Sequence, residues 1–273
     1  MASERSSRGP VAAAGATLLD LAGYLGGMTL LAGETLRWIG AGLVGRPRRL
    51  DVAAVAHQVL RLGVRAVGIV LMVQFFVGMI LALQMAPPLE PFGQVSMIAN
   101  IIGIAFIREL GPLLAAVVLS GFAGASIAAE LGTMAVSEEL EALRTHAIRP
   151  VRYLVVPRLL ATVIAMVCLT VLSDLAGCAG GYASAVLVLG PEASGGYWDR
   201  IAENVRMLDF TTGLVKAAVF GGVLGLLACH EGLKVRDGAA GVGRATTMTV
   251  VYTIVSLVVV DAIFTVLFYV YDL

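Results

Sequence analysis

The chain has 273 residues and a formal net charge of zero; hydrophobic residues make up 59% of it and charged residues only 14%. Soluble domains carry about 25% charged residues, so a chain with a mean hydropathy of +0.91 cannot cover itself as a soluble protein. The same composition excludes a disordered chain and a disulfide scaffold, and the zero net charge argues against a nucleic-acid partner. It predicts an all-α membrane protein with several spans.

The N-terminal segment, residues 1–62, precedes the first apolar stretch. Four apolar residues in it recur at three- or four-residue spacing: Leu18, Leu21, Leu25 and Met28. This spacing predicts an amphipathic helix that lies in the membrane interface. Arg5 and Arg8 before an apolar run are also typical of a secretory signal peptide. The Arg-rich stretch that follows favours the interfacial, cytoplasmic segment over a cleaved signal.

Five apolar stretches are long enough to cross the hydrocarbon core, which needs about 20 residues of helix. They cover approximately residues 63–85, 97–127, 153–189, 208–229 and 245–271. The third stretch is too long for one perpendicular helix. We expect it to be tilted, broken near Gly177–Gly181, or prolonged beyond the bilayer. Residues 63–273 therefore form the predicted transmembrane domain.

The basic residues predict the orientation of these spans. Fifteen of the 19 lie on one side: before or at the start of the first span, between the second and third spans or at the start of the third, and after the fourth span. Arg200 and Arg206 lie on the opposite side. Since positive residues favour the cytoplasmic side, we expect a cytoplasmic N-terminus and a C-terminus on the outside. The remaining two, Arg108 and Lys216, fall inside predicted spans.

A short amphipathic helix is predicted between spans two and three, at about residues 133–146. Thr and Ser residues before carboxylates suit a helix N-terminus, and Pro150 ends the segment. Leu140 and Leu143 form its apolar edge. From the residues alone, this helix is either a solvated connection or a docking surface for a cytoplasmic partner.

Charged residues inside the spans are the candidate functional residues, because a charge at the bilayer centre costs about 2.5–3.5 kcal/mol on insertion scales. Arg108 and Glu109 are adjacent, so on a helix they point about 100° apart and do not simply neutralise each other. Gly111-Pro112 predicts a kink or break beside them, of the kind that lines a cavity. Lys216 is the expected counter-charge of Glu109, or a ligand for an anionic group.

Asp174 and Asp261 also lie inside predicted spans. One interpretation is that they form buried ion pairs that hold helices in register, and the other is a role in a transport pathway. Three glycine pairs have the GxxxG spacing that lets helices approach closely: Gly23/Gly27, Gly177/Gly181 and Gly221/Gly225.

Several motifs are missing from the sequence. It has no GxxxxGK[ST], HExxH or GxSxG motif, and its three His residues are far apart. We therefore expect neither ATP binding nor a metal site nor enzymatic activity in this chain. It also shows no inverted repeat, so a second copy of the chain would have to supply any symmetry of the transport path.

Several sequence blocks carry a family resemblance. They are RELGP at 108–112, AAELGTM at 128–134, EELEAL at 138–143, PVRYLVVPR at 150–158, LVK at 214–216 and GRATT at 243–247. In these blocks the chain resembles the MlaE/YrbE family, the permease subunits of lipid-transporting ABC systems. The resemblance covers roughly residues 50–270. One departure is Glu138-Glu139-Leu140, where the family commonly has Glu-Gln-Ile or Glu-Gln-Leu.

The resemblance implies a homodimeric permease in the bacterial inner membrane that moves phospholipid between membranes. It implies two separate ATPase subunits that bind ATP and magnesium, a hexameric MCE-domain lipid-binding partner outside, and a small cytoplasmic accessory subunit. Arg108, Glu109 and Lys216 would then contact a lipid head group or gate its cavity. The helix at 133–146 would couple to the ATPase through Glu138, Glu139, Leu140, Glu141, Leu143 and Arg144.

Two other functions are compatible with the residues. The first is an ion-coupled secondary carrier with Glu109, Asp174 and Asp261 as a proton or ion relay. The second is a non-transporting membrane scaffold, in which these charges would be replaceable without loss of function.

Overall fold

The structure, a computed structural model, describes residues 10–43 and 51–271. Arg5 and Arg8, which bear on the signal-peptide alternative, lie outside these residues. Within them the secondary structure is helical and contains no β-strand. The α-helices in chain order are α1 (Pro10–Leu43), α2 (Val52–Leu62), α3 (Val67–Leu89), α4 (Ile98–Ala105), α5 (Gly111–Leu119), α6 (Ala125–Val136), α7 (Glu139–Thr145), α8 (Val156–Ser184), α9 (Pro191–Ser194), α10 (Tyr197–Asn204), α11 (Met207–Leu233) and α12 (Gly238–Val270).

Five helical stretches of the described chain are long and apolar enough to cross a membrane. These stretches, spans one to five, are Val52–Phe92, Val95–Val136, Val151–Leu189, Met207–Leu233 and Gly238–Val270. A helix satisfies every backbone N–H and C=O within one segment, which the hydrocarbon core requires because it offers no water. The predicted all-α membrane architecture is confirmed.

Span three stays helical through the glycines where a break was one of the expectations. Its helix α8 runs without interruption from Val156 to Ser184. A Cβ added to Gly78 of α3 would overlap the carbonyl oxygen of Gly177, and one added to Gly180 would overlap that of Phe75. These glycines therefore bring the backbones of α3 and α8 into contact.

Span two also continues where a kink or break was predicted. Residues Phe106–Leu110 form a π-helical turn, in which the N–H of Gly111 donates to the carbonyl of Phe106, five residues back. The α-helix resumes as α5 at Gly111. The proline is accommodated because the helix widens by one residue before it, as π-bulges do.

The helix between spans two and three is shorter than predicted. It is α7, Glu139–Thr145, whereas Thr133–Val136 belong to α6 of span two. Thr133 Oγ1 donates to the carbonyl of Ala129, 2.8 Å away, inside α6. A Thr hydroxyl that bonds back to the fourth preceding residue is in a helix interior and is not a cap.

Buried apolar side chains form two clusters along the bundle. On α8, Met166 and Leu169 belong to the larger cluster and Cys178 to the smaller one. Ser173 and Asp174 lie between them on the same helix, and both are buried. The bundle therefore has a polar layer between its apolar clusters, which comprises Gln74, Glu109, Ser173, Asp174, Lys216 and Asp261.

The long helix α1 lies across one end of the bundle. Its Tyr24 ring packs edge-on against His230 at the end of span four, with ring centroids 5.0 Å apart. Farther along α1, Trp38 lies beneath Arg149 and Arg152, where span three begins. Spans three and four are consecutive and run in opposite directions, so the start of span three and the end of span four lie on the same side of the bundle. The amphipathic, interfacial character of α1 stays a prediction.

Candidate functional site

Lys216 of α11 is the centre of the polar layer. Its side chain is 0% exposed, and its Nζ lies 2.5 Å from Glu109 Oε2 and 2.8 Å from Asp261 Oδ1. The predicted pairing of Lys216 with Glu109 is therefore present, and Asp261 is a second counter-ion. The three residues come from spans two, four and five, and we call them the lysine cluster.

Pro112 gives Lys216 a third partner. A proline has no N–H and cannot donate to the carbonyl four residues before it, which here belongs to Arg108. Lys216 Nζ lies 3.3 Å from this carbonyl oxygen and donates to it. The Lys216 ammonium thus donates to a carbonyl that has no N–H partner at Pro112. Arg108, which carries this carbonyl, belongs to the π-helical turn before Pro112.

The lysine cluster is open on one side. The Glu109 side chain is 36% exposed, and its second oxygen accepts a hydrogen bond from Thr265, whose Oγ1 is 3.1 Å away. The Phe268 ring lies beside the ammonium, with its centroid 5.9 Å from Nζ. Asp261, Thr265 and Phe268 lie on one face of α12, because they are three or four residues apart. A ligand would reach Lys216 past Glu109 and this face.

Arg108 is directed away from the lysine cluster. Its Nη1 lies 3.0 Å from Asp209 Oδ1, near the start of α11. The other Asp209 oxygen accepts the backbone N–H of Arg206, 2.9 Å away, and so caps that helix. The divergence of Arg108 and Glu109 agrees with their predicted separation on the helix. The structure thus brings Glu109 and Lys216 together and places Arg108 in a neighbouring ion pair.

Asp174 does not form the buried ion pair that was one interpretation for it. Its side chain lies against Gly111, where an added Cβ would overlap Oδ1. Among the described residues, Oδ1 has no hydrogen-bond partner and no cation lies within ion-pair distance. Ser173 Oγ and Gln74 Nε2 both donate to the Gly111 carbonyl, at 3.2 and 3.3 Å. Asp261 does form an ion pair, with Lys216.

The candidate coupling helix α7 presents charges outward and leucines inward. Leu140 is 8% exposed and packs in the larger apolar cluster, where Leu143 also contacts it. Glu141 pairs with Arg144 at 2.7 Å on the exposed surface. Leu140 thus anchors α7 to its own chain, so a partner would meet the charged side chains of this helix. The backbone is left-handed at Glu138, directly before α7, and at Ala147, two residues after its end, with φ of 59° and 58°.

Known proteins are similar to this chain over most of its length. The family described as Permease MlaE matches residues 55–267. A probable ABC transporter permease protein of Rickettsia felis is 38% identical over 220 residues, which is 81% of this chain and 85% of that protein. The intermembrane phospholipid transport system permease protein MlaE of Haemophilus influenzae is 32% identical over 225 residues, or 82% and 86% of the two chains.

A plant relative is also similar. The chloroplastic protein TRIGALACTOSYLDIACYLGLYCEROL 1 of Arabidopsis thaliana is 32% identical over 213 residues, which is 78% of this chain and 61% of that protein. The matched region contains all five spans except the start of the first and the end of the fifth, and it includes the whole lysine cluster. The chain therefore belongs to the MlaE permease family.

Proposed function

We propose that this chain is the membrane-spanning permease subunit of an ATP-driven phospholipid transporter. It would move lipid between the inner membrane and an exoplasmic MCE-domain partner. Membership of the MlaE family supports this proposal, as does the phospholipid transport system named for the Haemophilus relative. A separate ATPase subunit, loaded with ATP and magnesium, would supply the energy, and this chain would be a transport subunit without enzymatic activity of its own.

The observation that carries the proposal is the lysine cluster. An ammonium that is 0% exposed, held by carboxylates of two other spans and open on one side, is expensive in a bilayer. Intramembrane charges of this kind are typical of substrate pathways. A lipid phosphate is an anion that a lysine binds well as a point charge.

The charges of the lysine cluster suggest how a head group would bind. One ammonium faces two carboxylates, so a phosphate approaches Lys216 only when one carboxylate leaves it. Glu109 is the more exposed of the two, at 36% against 15% for Asp261. We therefore assign Glu109 the exchange with phosphate, while Asp261 keeps Lys216 oriented. Arg108, beside the same π-helical turn, would be a second contact or gating residue.

Span five offers the surface for a second copy of the chain. Only 11% of its apolar core is buried, compared with 61% in spans three and four. Its exposed face carries aliphatic side chains such as Val255, Val259 and Val266. Because Thr265 on this span also borders the lysine cluster, a C2 dimer here would place two clusters near one shared cavity.

The remaining partners follow from the orientation that we propose. The N-terminus and α7 would face the cytoplasm, where two ATPase subunits and a small accessory subunit would bind. The C-terminus would face the periplasm, on the side of the hexameric MCE-domain protein.

Reconstitution tests this function. The chain would be purified with its ATPase and MCE partners, and transfer of a fluorescent phospholipid between vesicles would be followed with ATP or with an ion gradient. We expect lipid transfer when ATP is present and no ion gradient is applied. Transfer driven by a gradient without any ATPase would establish the ion-coupled carrier instead. A stable complex with no transfer under either condition would favour the scaffold.

Charge reversal on α7 is a specific prediction of this function. We expect Glu139→Lys with Glu141→Lys to weaken ATPase binding about tenfold or more, because like charges across an interface cost several kcal/mol. Co-purification of the ATPase with tagged permease measures the effect. Glu192→Lys, on the exposed helix α9 at the opposite end of span three, is the control. Unchanged ATPase stoichiometry in the double variant would exclude docking through α7.

A further inference from the structure

A second polar site lies at the end of the bundle that carries α1 and α7. It is a cavity of about 770 Å³ between Trp38 of α1, the first turns of α2, and the start of span three. Ligand pockets generally enclose about 300–1,000 Å³. Spans one and three both begin here, at Val52 and Val151, so the cavity lies at a membrane boundary, away from the lysine cluster.

Two guanidinium groups share one aromatic ring at the cavity wall. The Cζ atoms of Arg149 and Arg152 lie 5.4 and 5.5 Å from the centroid of the Trp38 ring. Neither guanidinium forms an ion pair with another residue in the described parts of the chain. Two like charges held on one ring repel each other, and a bound anion would relieve this repulsion.

The cavity has further donors and acceptors. Arg158 is 7% exposed; its Nη2 lies 3.1 Å from Glu130 Oε2 and its Nη1 donates to the Leu154 carbonyl. The Nε of this arginine and the Oε1 of Gln58 are buried and have no hydrogen-bond partner. Both residues line the cavity. A buried polar atom without a partner costs about 1–3 kcal/mol, so a ligand that bonds to these atoms would be favoured.

The lining charges select an anion. Three cationic side chains line the cavity, those of Arg149, Arg152 and Arg158, against the one carboxylate of Asp51. Since Arg158 is paired with Glu130, Arg149 and Arg152 supply the excess positive charge. Asp51 Oδ1 is already engaged, since it accepts the N–H of Ala54 and caps α2. Glu34, one turn before Trp38, accepts the indole N–H at 3.4 Å. Arginine forks match phosphate oxygens, which makes a phosphate the best-fitting anion.

Exposed apolar side chains beside the cavity indicate that the phosphate belongs to a lipid. Tyr153 is 60% exposed, Leu36 of α1 is 64% exposed and Ile148 is 41% exposed. An amphipathic ring such as that of Trp38 or Tyr153 is typical of the depth at which lipid head groups lie. Basic pockets at this depth bind the head groups of anionic lipids. Acyl chains would then lie along the apolar surface below.

We propose that this cavity binds the head group of an anionic phospholipid from the leaflet on the α7 side, with Arg149 and Arg152 on its phosphate. The Nε–H of Arg158 donates to a phosphate oxygen, and Gln58 Oε1 accepts a hydrogen from the head group. The site joins α1, α2, the segment after α7 and span three. A bound lipid would therefore hold the N-terminal helix against the transmembrane bundle, independently of any lipid that is transported.

Tryptophan fluorescence tests the proposal, because the chain has only two tryptophans. In full-length protein with Trp198→Phe, Trp38 is the reporter. Phosphatidylglycerol and phosphatidylcholine, each with brominated acyl chains, are titrated into the protein in separate series of mixed micelles. We expect phosphatidylglycerol to quench Trp38 at about tenfold lower mole fraction. This preference should be lost in Arg149→Gln/Arg152→Gln and kept in the charge-matched control Arg65→Gln/Arg236→Gln.

Other outcomes would overturn the proposal. Equal quenching by both lipids, or an unchanged preference in Arg149→Gln/Arg152→Gln, would show that the cavity does not select anionic lipid. Displacement of phosphatidylglycerol by millimolar glycerol phosphate would assign the site to a soluble phosphate. Loss of ATPase co-purification with unchanged lipid preference would make it a protein-docking surface. Should the double variant not fold, Arg149→Gln alone, at an exposed position, is expected to lower the preference in part, and an unchanged preference would be equally decisive.

Discussion

Replacing Lys216 with methionine is expected to abolish lipid transport and to lower the melting temperature of the purified protein. Methionine is similar in length but uncharged, so Glu109 and Asp261 would remain as neighbouring carboxylates without their counter-ion. Removal of one partner from a buried ion pair costs about 3–5 kcal/mol in proteins. Lipid transfer between vesicles and thermal unfolding in detergent would be measured on the same preparation.

Lys234→Met is the matched control, because Lys234 is the other of the two lysines in the chain. Its Nζ lies 4.3 Å from the centroid of the Tyr24 ring, at the α1 end of the bundle. An exposed cation on a ring contributes only about 0.5–1 kcal/mol. We expect this variant to retain both transport and most of its thermal stability.

A neutral triple variant separates the structural role of the lysine cluster from its transport role. Lys216→Met, Glu109→Gln and Asp261→Asn together remove all three charges and leave no unpaired ion. We expect much of the lost thermal stability to return while transport stays absent, because the lysine cluster no longer has a cation for the phosphate. Transport at the normal rate in this triple variant would show that the lysine cluster has no role in transport. A normal melting temperature for Lys216→Met alone would contradict the buried ion pairs.

Gly78→Ala is expected to disrupt the packing of spans one and three. The added Cβ would overlap the backbone carbonyl group of Gly177, and backbone atoms of a helix cannot move aside as a flexible side chain can. The two helices would have to separate, at a cost at or above the upper end of the roughly 1–3 kcal/mol typical of overpacking. The yield of monodisperse protein and its melting temperature measure this effect.

Gly68→Ala controls for the loss of glycine itself. Gly68 lies on the same helix α3, and a Cβ there meets nothing within 4 Å. Because alanine is the better helix former by about 1 kcal/mol, we expect an unchanged or slightly higher melting temperature. Equal melting temperatures for Gly78→Ala and Gly68→Ala would contradict the close contact between α3 and α8.

The five spans and the close approaches at Gly177 and Gly221 were predictable because they depend on composition and local spacing, whereas those at Gly78 and Gly180 were not predicted. The hydrocarbon core imposes a minimum apolar length on any helix that crosses it, and this requirement is visible in the sequence. Gly177 and Gly221 each occupy a close approach between helices, as the GxxxG spacing indicates. A continuous apolar helix and one interrupted by a π-helical turn look alike in sequence, so the turn at Phe106–Leu110 was not predicted.

The partners of the intramembrane charges were only partly predictable. The pairing of Glu109 with Lys216 follows from their being opposite charges in apolar surroundings. Which second carboxylate pairs with Lys216 depends on how each span is rotated about its axis. Nearly uniform apolar spans carry little information about this rotation. For this reason Asp261 and Asp174 could not be told apart in sequence, although one pairs with Lys216 and the other lies against Gly111.

The start of α7 was misplaced for a local reason. Thr133 and Ser137 are both good caps, and the sequence does not show which of them lies inside a helix. The Thr133 hydroxyl donates to the Ala129 carbonyl, as a Thr inside a helix does, and Thr133 lies within α6. Ser137 is instead bonded to the Glu139 side chain, 3.0 Å away.

The connections of α7 determine how a displacement of this helix spreads through the protein. Two residues, Ser137 and Glu138, separate it from α6, and Leu140 holds its first turn in the apolar cluster. The left-handed backbone at Glu138 and Ala147 costs each of these non-glycine residues about 1–2 kcal/mol and restricts rotation at both ends. A force applied to the exposed face of α7 is therefore not absorbed by a flexible loop. We therefore expect such a force to tilt spans two and three, which carry Glu109 and Asp174.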